Sequence, residues 1–277
     1  MTVDNVQLTI ADERYDPQLK SLWRTAFPAD SGEFVDYFFD VIRNVGRVFA
    51  IVTDGGEIVS MLSLIDYDMR IGGDLHTVGY IYGAATAPGY RGTGRMAELL
   101  DHTADWCRDS GFAGTVLVPA DDGLRRYYEK HGFTCKIKMS QHTVSGLSLK
   151  QSSEVCSCGF DRFVQMRGEY LSGMDSAIYP SQEVYECFYK KNADKILKIG
   201  RHHYAFCSII EDKVLVRETS MTDTDRAAAI IAAHFGTDEV GFTRPLSDCG
   251  DEIIYALYRS AGVDIPDDIY MNLMIDW

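Results

Sequence analysis

The sequence predicts an α/β fold of the α+β type, in which helices flank a mixed, mostly antiparallel sheet, followed by a second domain of similar build. The stretch Thr77–Phe133 has the apolar patterns of strand, glycine loop, helix, strand and helix, in that order. Upstream, Asp54-Gly55-Gly56 joins two apolar runs with a turn signal for antiparallel strands. After residue 195 a strand meander, a helix and a strand recur, so the same order of elements appears twice.

Composition limits the classes of protein that the chain can be. Its 277 residues suffice for two domains, and its formal net charge of −14 argues against nucleic acid and anionic membranes as partners and favours cationic ones. The start of the chain lacks a signal-peptide pattern and no apolar stretch approaches about 20 residues, so we expect a cytoplasmic protein. The cysteines are scattered, and Cys156-Ser-Cys158 has no second pair, which predicts reduced thiols and no metal.

The elements before residue 77 follow from local apolar patterns and from the residues that end them. In order, the sequence predicts an edge strand at Val6–Ile10, a helix opened by Asp16-Pro17 and ended at Pro28, a helix from about Ser31 to Gly46, and strands at Val48–Val52 and Ile58–Ile65. The central stretch then gives a strand ending at Thr86, a helix with an apolar face from Met96 to Cys107, a strand at Thr115–Val118, and a helix at Leu124–His131.

The loop before the central helix has the composition of an anion site. Gly92 and Gly94 let the backbone come close to a bulky anion, and a helix N-terminus presents amide N–H groups and a partial positive charge. Arg91 and Arg95 add two positive charges. The loop therefore predicts a diphosphate site.

Two other kinds of phosphate site have glycine patterns related to this one. A P-loop needs Lys followed by Ser or Thr after its last glycine, and this pair is missing. A dinucleotide fingerprint fits Gly92-x-Gly94-x-x-Ala97, with Asp121 or Asp122 as the ribose-binding acid. In that motif the strand runs almost directly into the first glycine, whereas here Ala87 to Arg91 intervene, but the alternative stays open on the residues alone.

The second half repeats the pattern of elements but not the loop. The predicted elements are helices at Phe160–Leu171 and Ser181–Lys191, strands at Lys195–Ile199, Tyr204–Ile210 and Val214–Glu218 with a turn at Glu211-Asp212-Lys213, a helix capped by Thr222 that ends at Gly236, and unassigned apolar runs at Ile253–Tyr258 and Tyr270–Ile275, with strand favoured for the second. Thr134–Val144 closes the first half as a strand, and no arginine-glycine loop precedes the Thr222 helix. The domains are predicted as 1–145 and 160–277, with the Ser-rich segment 146–159 as linker.

Two motifs at matching spacing resemble those of the GCN5-related N-acetyltransferases, the GNAT superfamily. Arg91-Gly92-Thr93-Gly94-Arg95-Met96 resembles that family's Q/R-x-x-G-x-G/A loop, and Tyr128-Glu129-Lys130-His131-Gly132-Phe133 resembles its Y-x-K-x-G-F segment. Met96 departs from the Gly or Ala of the family pattern, and Asp121 replaces a frequent Asn. The two-domain order also resembles the enhanced-intracellular-survival acetyltransferases, without their sterol-carrier-like domain, so their aminoglycoside specificity is not carried over.

The resemblance implies an N-acetyltransferase that transfers an acetyl group from acetyl-CoA to a primary amine of a small molecule or peptide. It implies that Tyr128 is the general acid for the departing thiolate, and that the residues contacting the cofactor are Ala84, Ala85, Thr86, Arg91, Gly92, Thr93, Gly94, Arg95 and Met96. The second domain is then a degenerate copy that does not hold coenzyme A. The general base stays open among Glu33, Asp66, Asp68, His76 and the carboxylate after Trp277, and a non-catalytic acyl-CoA sensor or partner-binding module is the alternative function.

Overall fold

Two crossovers, each made of a strand, a helix and a parallel strand, organise the structure. The computed structural model describes residues 5–147, 155–210, 213–246 and 250–272. The helices are α1 (Asp16–Ala26), α2 (Gly32–Val45), α3 (Arg95–Asp109), α4 (Asp122–Glu129), α5 (Phe160–Ser172), α6 (Gln182–Asn192) and α7 (Thr224–Phe235). The strands are β1 (Val6–Ile10), β2 (Gly46–Thr53), β3 (Ile58–Ile71), β4 (Asp74–Thr86), β5 (Gly114–Leu117), β6 (Cys135–Ser145), β7 (Val155–Ser157), β8 (Ser176–Pro180), β9 (Ile196–Ile199), β10 (His203–Ile210), β11 (Lys213–Thr219), β12 (Glu239–Pro245), β13 (Asp251–Ser260) and β14 (Tyr270–Met271).

The chain forms two compact units, and each is assembled from separate stretches of sequence. The first unit consists of Met1–Asp68, Leu75–Lys136 and Ala256–Ile265. The second consists of Met69–Asp74, Ile137–Tyr255 and Pro266–Trp277. The division into continuous domains 1–145 and 160–277 stays a prediction, and much of the linker proposed between them lies outside the described residues.

The sheet of the first unit is mixed and mostly antiparallel, as predicted. Its strand order is β1-β2-β3-β4-β5, and residues 257–260 of β13 follow β5. The β1–β2, β2–β3 and β5–β13 pairs are antiparallel, whereas β4 and β5 are parallel and are joined by α3. The neighbour of β5 therefore comes from near the end of the chain.

Helices cover opposite faces of this sheet. On one face, Arg47 of β2 pairs with Asp66 of β3 and lies 4.5 Å from the centre of the Trp106 ring of α3. The next residue of β3, Tyr67, contacts Tyr80 of β4, and successive side chains of a strand point to opposite faces. The tyrosine face is the one that α1 and α2 cover, because Tyr82, two residues after Tyr80, packs against Trp23 and Phe38.

The second unit repeats this order of strands, which confirms the predicted second copy of the fold. Its strand order is β6-β12-β11-β10-β9-β7. The β9–β10 and β10–β11 pairs are antiparallel, and β11 runs parallel to β12 across α7. Strand β12 was not located from the sequence, although this parallel partner is what makes the second crossover match the first.

A buried ion pair lies in the core of the second unit. Arg167 donates from Nε to Glu218 at 2.6 Å, and both side chains are almost completely buried. The hydroxyls of Tyr204 and Tyr270 each donate to the same carboxylate at 2.6 Å. Burial and the Glu218 charge raise the pKa of both phenols, so all three donors stay protonated around a carboxylate that is fully hydrogen-bonded.

Several element boundaries differ from the sequence predictions. Helix α1 includes Asp16, so this residue lies inside the helix, and the residue that caps it is Tyr15. Helix α7 is capped by Asp223, whose carboxylate accepts from the Arg226 N–H, so the predicted cap at Thr222 is wrong by one residue. A carboxylate accepts more strongly than a hydroxyl, which explains the preference for the neighbouring residue.

The two apolar runs near the end of the chain, for which the sequence allowed no secure assignment, contain strands within the described residues. Ile253–Tyr258 lies within β13, and the visible part of Tyr270–Ile275 contains β14. Residues 273–275 and two residues of the predicted turn at 211–213 lie outside the described residues. In the parts of the chain that the structure covers, no helix is long and apolar enough to cross a membrane.

The pairing of β5 with β13 requires glycine at position 114. A Cβ atom there would lie 2.5 Å from the Arg259 carbonyl oxygen and 2.5 Å from the Tyr258 hydroxyl. We therefore expect Gly114→Ala to destabilise the protein by about 2 kcal/mol or more, as other overpacking substitutions do. Gly32→Ala is the matched control, because a Cβ at this helical position meets nothing within 4 Å. Urea unfolding followed by circular dichroism measures both variants, and equal midpoints would contradict the tight pairing.

Candidate active site

Strand β4 separates from its parallel neighbour at the point where a site was predicted. The pairing joins Gly79 to Thr115 and Tyr80 to Val116. Strand β5 ends at Leu117, whereas β4 continues to Thr86. The last six residues of β4 thus extend beyond this pairing, and half-exposed Ala84 and Thr86 are among them.

The end of β4 is held from its other side by β3. Ser60, which is fully buried, lies 3.2 Å from the Ala85 carbonyl oxygen and 2.9 Å from the Thr86 Oγ1 atom. The Ala87 N–H donates to the Val59 carbonyl at 2.9 Å. Hydrogen bonds on the β3 side therefore fix Ala85 and Thr86, two of the three predicted cofactor residues of this strand.

A backbone irregularity precedes these residues. Gly83 has a φ of 61°, which is unusual inside a strand and typical of a β-bulge. A Cβ at this position would lie 2.3 Å from the Trp23 ring, and the Trp23 indole N–H is itself fixed by a 2.7 Å hydrogen bond to Asp30. Only glycine therefore fits this position, because a side chain would be strained by the positive φ and would collide with the indole.

The predicted diphosphate loop leaves the N-terminus of α3 open. Gly92 and Gly94 have φ values of 74° and 85°, and Gly94 is the N-cap residue, with no side chain capping the helix. Residues 91–94 are exposed, and a Cβ at either glycine would meet nothing within 4 Å. The amide N–H groups of the first turn are therefore not blocked by a side chain, which is the condition for binding an anion.

The two arginines flank this N-terminus. Arg91 donates from Nε to the Thr86 carbonyl at 3.1 Å and thereby links the loop to the end of β4. Arg95 forms an ion pair with Glu98 at 3.1 Å, while its buried Nε has no hydrogen-bond partner in the part of the chain that the structure covers. Thr93 closes the turn by donating to the Tyr90 carbonyl at 2.6 Å, and Met96 is half-buried in the first turn of α3.

Tyr128 lies on a short, well-capped helix. Asp121 caps α4 by accepting from the Leu124 N–H at 2.8 Å, which gives a structural role to the residue that departs from the family pattern. Tyr128 is 9% exposed and packs edge-on against Phe133 and Tyr127. Among the described residues, nothing forms a hydrogen bond with its hydroxyl. Burial raises the pKa of Tyr128 to about 12.

The positions of the candidate bases do not single out one residue. Asp66 pairs with Arg47 at 2.8 Å on the α3 face of the sheet, and burial raises the pKa of its carboxyl more than Arg47 lowers it. Glu33 is exposed on α2, and Asp68 and His76 are half-buried on β3 and β4. The carboxylate after Trp277 lies outside the described residues. The base therefore stays unassigned.

The corresponding helix N-terminus in the second unit is closed. The Asp223 carboxylate caps α7, and Arg244 donates to the Met221 carbonyl and the Thr224 hydroxyl at 2.7 and 2.9 Å. A carboxylate on the first-turn N–H groups occupies the position that a phosphate needs and repels it. This arrangement supports the prediction that only the first unit holds a diphosphate.

Three residues around the site were not identified from the sequence. Ser60 looked like one more residue of an apolar strand, and Arg259 lies far from the motifs. Gly83 was visible as a lone glycine in a strand pattern, which is a known signal for a bulge. In the described parts of the chain, no group of three or more His, Cys, Asp or Glu side chains is placed to hold a metal ion.

Comparison with known proteins agrees with this geometry. Residues 9–135 match the family model of the acetyltransferase (GNAT) domain. This part of the chain, which contains the open loop and Tyr128, is similar to the GNAT acetyltransferase domain. The dinucleotide-binding alternative fails, because the sheet before the loop is antiparallel and a short turn at Pro88–Tyr90 separates β4 from the glycines. No curated protein matches the sequence.

Solved structures extend the likeness of fold to nearly the whole chain. A conserved protein of Enterococcus faecalis V583, described as a probable N-acyltransferase, superposes with a TM-score of 0.74 at 12% identity over 94% of this chain and 74% of its own. A GCN5-related N-acetyltransferase of Kribbella flavida gives 0.71 at 15% identity over 94% and 72%. Eis1 of Mycobacterium abscessus gives 0.63 at 8% identity over 93% and 74%. Because the identities are only 8 to 15%, these superpositions show the fold alone, and that fold is the two-unit GNAT fold.

The environment of Tyr128 predicts how this residue titrates. Because burial favours the neutral phenol, absorbance at 295 nm should show one tyrosine with a pKa of about 12 that is missing in Tyr128→Phe. The folded-state pKa lies above the unfolded value, so the stability contributed by this group is complete below pH ~10 and is lost as the pH rises through 12. Tyr127→Phe is the control, and a Tyr128 titration near 10 would show that the phenol is solvated instead.

Proposed function

We propose that this protein is an acetyl-CoA-dependent N-acetyltransferase that acts on a primary amine of a small molecule or peptide. The observation that carries the proposal is the open, glycine-capped N-terminus of α3 at the end of β4, in a domain that is similar to the GNAT acetyltransferase domain. A helix N-terminus without a side-chain cap, flanked by two arginines, suits a diphosphate.

The chain's own groups account for binding along the length of coenzyme A. The first-turn N–H groups of α3, with Arg91 and Arg95, would hold the diphosphate. The end of β4 would hold pantetheine, whose amides can pair with backbone groups that lie past the β5 pairing. The hydrogen bond from Arg91 to the Thr86 carbonyl joins the two parts of this surface, so the loop and the strand are placed by a common contact.

Acetyl-CoA supplies the activated acyl group as a thioester. The amine nitrogen forms a bond to the thioester carbonyl carbon, the carbon–sulfur bond breaks, and the sulfur leaves as a thiolate. The Tyr128 hydroxyl donates its proton to that thiolate, and the attacking nitrogen loses a proton to solvent or to a base. A backbone N–H of β4 would stabilise the negative charge on the carbonyl oxygen.

A phenol with a pKa of about 12 is a suitable acid only if the leaving thiol is also weakly acidic. A coenzyme A thiolate held against the buried phenol would lose contact with water, and such desolvation raises the pKa of a thiol. The departing thiolate would then be a stronger base toward the Tyr128 hydroxyl than it is in water. The raised pKa also keeps the phenol protonated over the whole physiological range.

Net charge bears on the acceptor, and two features of the site bear on an alternative function. The formal net charge of −14 favours a cationic amine by electrostatic attraction. The unassigned base and Met96 at the glycine position of the family loop favour a second candidate, a non-catalytic acyl-CoA sensor. Binding of acetyl-CoA without thiol release, in the presence of a polyamine, a lysine-containing peptide or an aromatic amine, would support the sensor.

Removing the hydroxyl of Tyr128 tests the catalytic role. Tyr128→Phe should bind coenzyme A within about 2-fold of the wild-type affinity and release thiol from acetyl-CoA about 100-fold more slowly, which is the usual range for loss of a general acid. Tyr127→Phe changes a neighbouring phenol and should keep the wild-type rate. A Tyr128→Phe variant that is fully active from pH 6 to 9 would remove the acid role.

Removing the charge of Arg91 tests the diphosphate site. Arg91→Ala should weaken coenzyme A binding about 10-fold or more in calorimetry, because a charge-assisted hydrogen bond is lost together with the link to Thr86. Arg108→Ala, at the other end of the same helix, removes an exposed arginine and should leave the affinity unchanged. Stabilisation by a nicotinamide dinucleotide and none by coenzyme A in a melting experiment would overturn the assignment.

A further inference from the structure

Arg259, from the late segment that completes the first unit, contacts both helices of the candidate site. Its Nη1 donates to Asp101 Oδ1 at 2.8 Å and to the His131 carbonyl at 3.1 Å. Asp101 lies on α3, two turns after the open N-terminus, and His131 follows α4, three residues after Tyr128. One guanidinium therefore joins the helix that would bind the diphosphate to the helix that carries the phenol.

Backbone hydrogen bonds connect the His131 contact to Tyr128. The N–H groups of His131 and Phe133 both donate to the Tyr128 carbonyl, at 2.9 and 3.2 Å. Gly132 between them has a φ of 86°, and a Cβ there would lie 3.1 Å from the Arg259 Nε atom. The turn after α4 is therefore shaped to accept the Arg259 side chain, and this turn fixes the backbone of Tyr128.

The charges around Arg259 orient neighbouring groups but contribute little to the free energy of unfolding. The end of a helix carries a partial negative charge, so a guanidinium on the His131 carbonyl is favourable. The Asp101 side chain is 60% exposed, whereas the Arg259 side chain is 23% exposed, and an ion pair with so exposed a partner stabilises little. The fold of the segment itself rests on other groups, because the Tyr258 hydroxyl lies 2.7 Å from the carbonyls of Ala113 and Val263.

We propose that Arg259 is a positioning residue for the acyl transfer, acting through the His131 carbonyl to hold Tyr128 in place relative to the N-terminus of α3. This inference rests on the proposed function for its kinetic consequence but not for its structural one. It assigns a role in the site to a residue about 130 positions away from the acid it serves, in the segment Ala256–Ile265 of the first unit.

The test compares full-length variants. Arg259→Ala should bind coenzyme A within about 2-fold of the wild-type affinity, and its maximal rate of thiol release from acetyl-CoA should fall about 10-fold or more, since a misplaced catalytic group loses rate and not affinity. Hydrogen exchange at the His131 and Phe133 amides should be about 10-fold faster. Arg259→Lys keeps the charge but not the fork geometry, so its rate of thiol release and its amide exchange should lie between those of the wild type and those of Arg259→Ala.

The controls separate alignment from a general loss of structure. Asp101→Asn removes the negative charge but keeps an Oδ1 acceptor, so both contacts of Arg259 can remain and most of the rate should be retained, and Arg108→Ala should match the wild type. The inference is overturned if Asp101→Asn is as slow as Arg259→Ala, if affinity falls as much as rate, or if exchange at His131 and Phe133 is unchanged.

The outcome does not depend on the proposed function being right. If the wild type releases no thiol with any amine, the transferase proposal fails, and exchange at the two amides alone decides whether Arg259 holds the turn. If Arg259→Ala does not fold, Arg259→Lys decides: wild-type exchange together with a wild-type rate overturns the inference, and faster exchange supports it.

Discussion

An open helix N-terminus is the feature that the rest of the first unit serves. Backbone N–H groups at the start of a helix need partners, and a side chain usually provides one. Here Gly94 caps α3 with a left-handed conformation and no side chain, so the groups stay available to a ligand. Strand β4 leads to this N-terminus, and α4, which carries Tyr128, follows β5, the parallel neighbour of β4.

The second unit shows the same fold without this feature. Both units place a helix between two parallel strands, but α7 is capped by Asp223, whose carboxylate accepts from the Arg226 N–H in the first turn. The first unit has a glycine cap and two flanking arginines at this position, whereas the second has an aspartate cap and no arginine-glycine loop. The buried Arg167–Glu218 pair, with two tyrosine donors, indicates that the core of this unit is organised for structure.

Much of the first unit could be predicted from the sequence because its signals are local. Glycine and arginine at a helix start, apolar periodicity and turn residues report on a few neighbouring positions, and they located the loop and the order of elements along the chain. The role expected for Tyr128 came from the family resemblance. Long-range pairing leaves no such signal. The contacts of Arg259 with Asp101 and His131 span 158 and 128 residues, and the cap of α7 could not be placed to the residue because Thr222 and Asp223 are both residue types that cap helices.

The central claim is that the N-terminus of α3 binds the diphosphate of coenzyme A and thereby places the thioester beside Tyr128. Calorimetric titration with coenzyme A and with pantetheine, which lacks the diphosphate, tests it most directly. The account predicts that the wild type binds coenzyme A at least about 100-fold more tightly than pantetheine and that Gly94→Ala removes most of this difference. Equal affinity for the two ligands, or a preference that Gly94→Ala leaves intact, would contradict it.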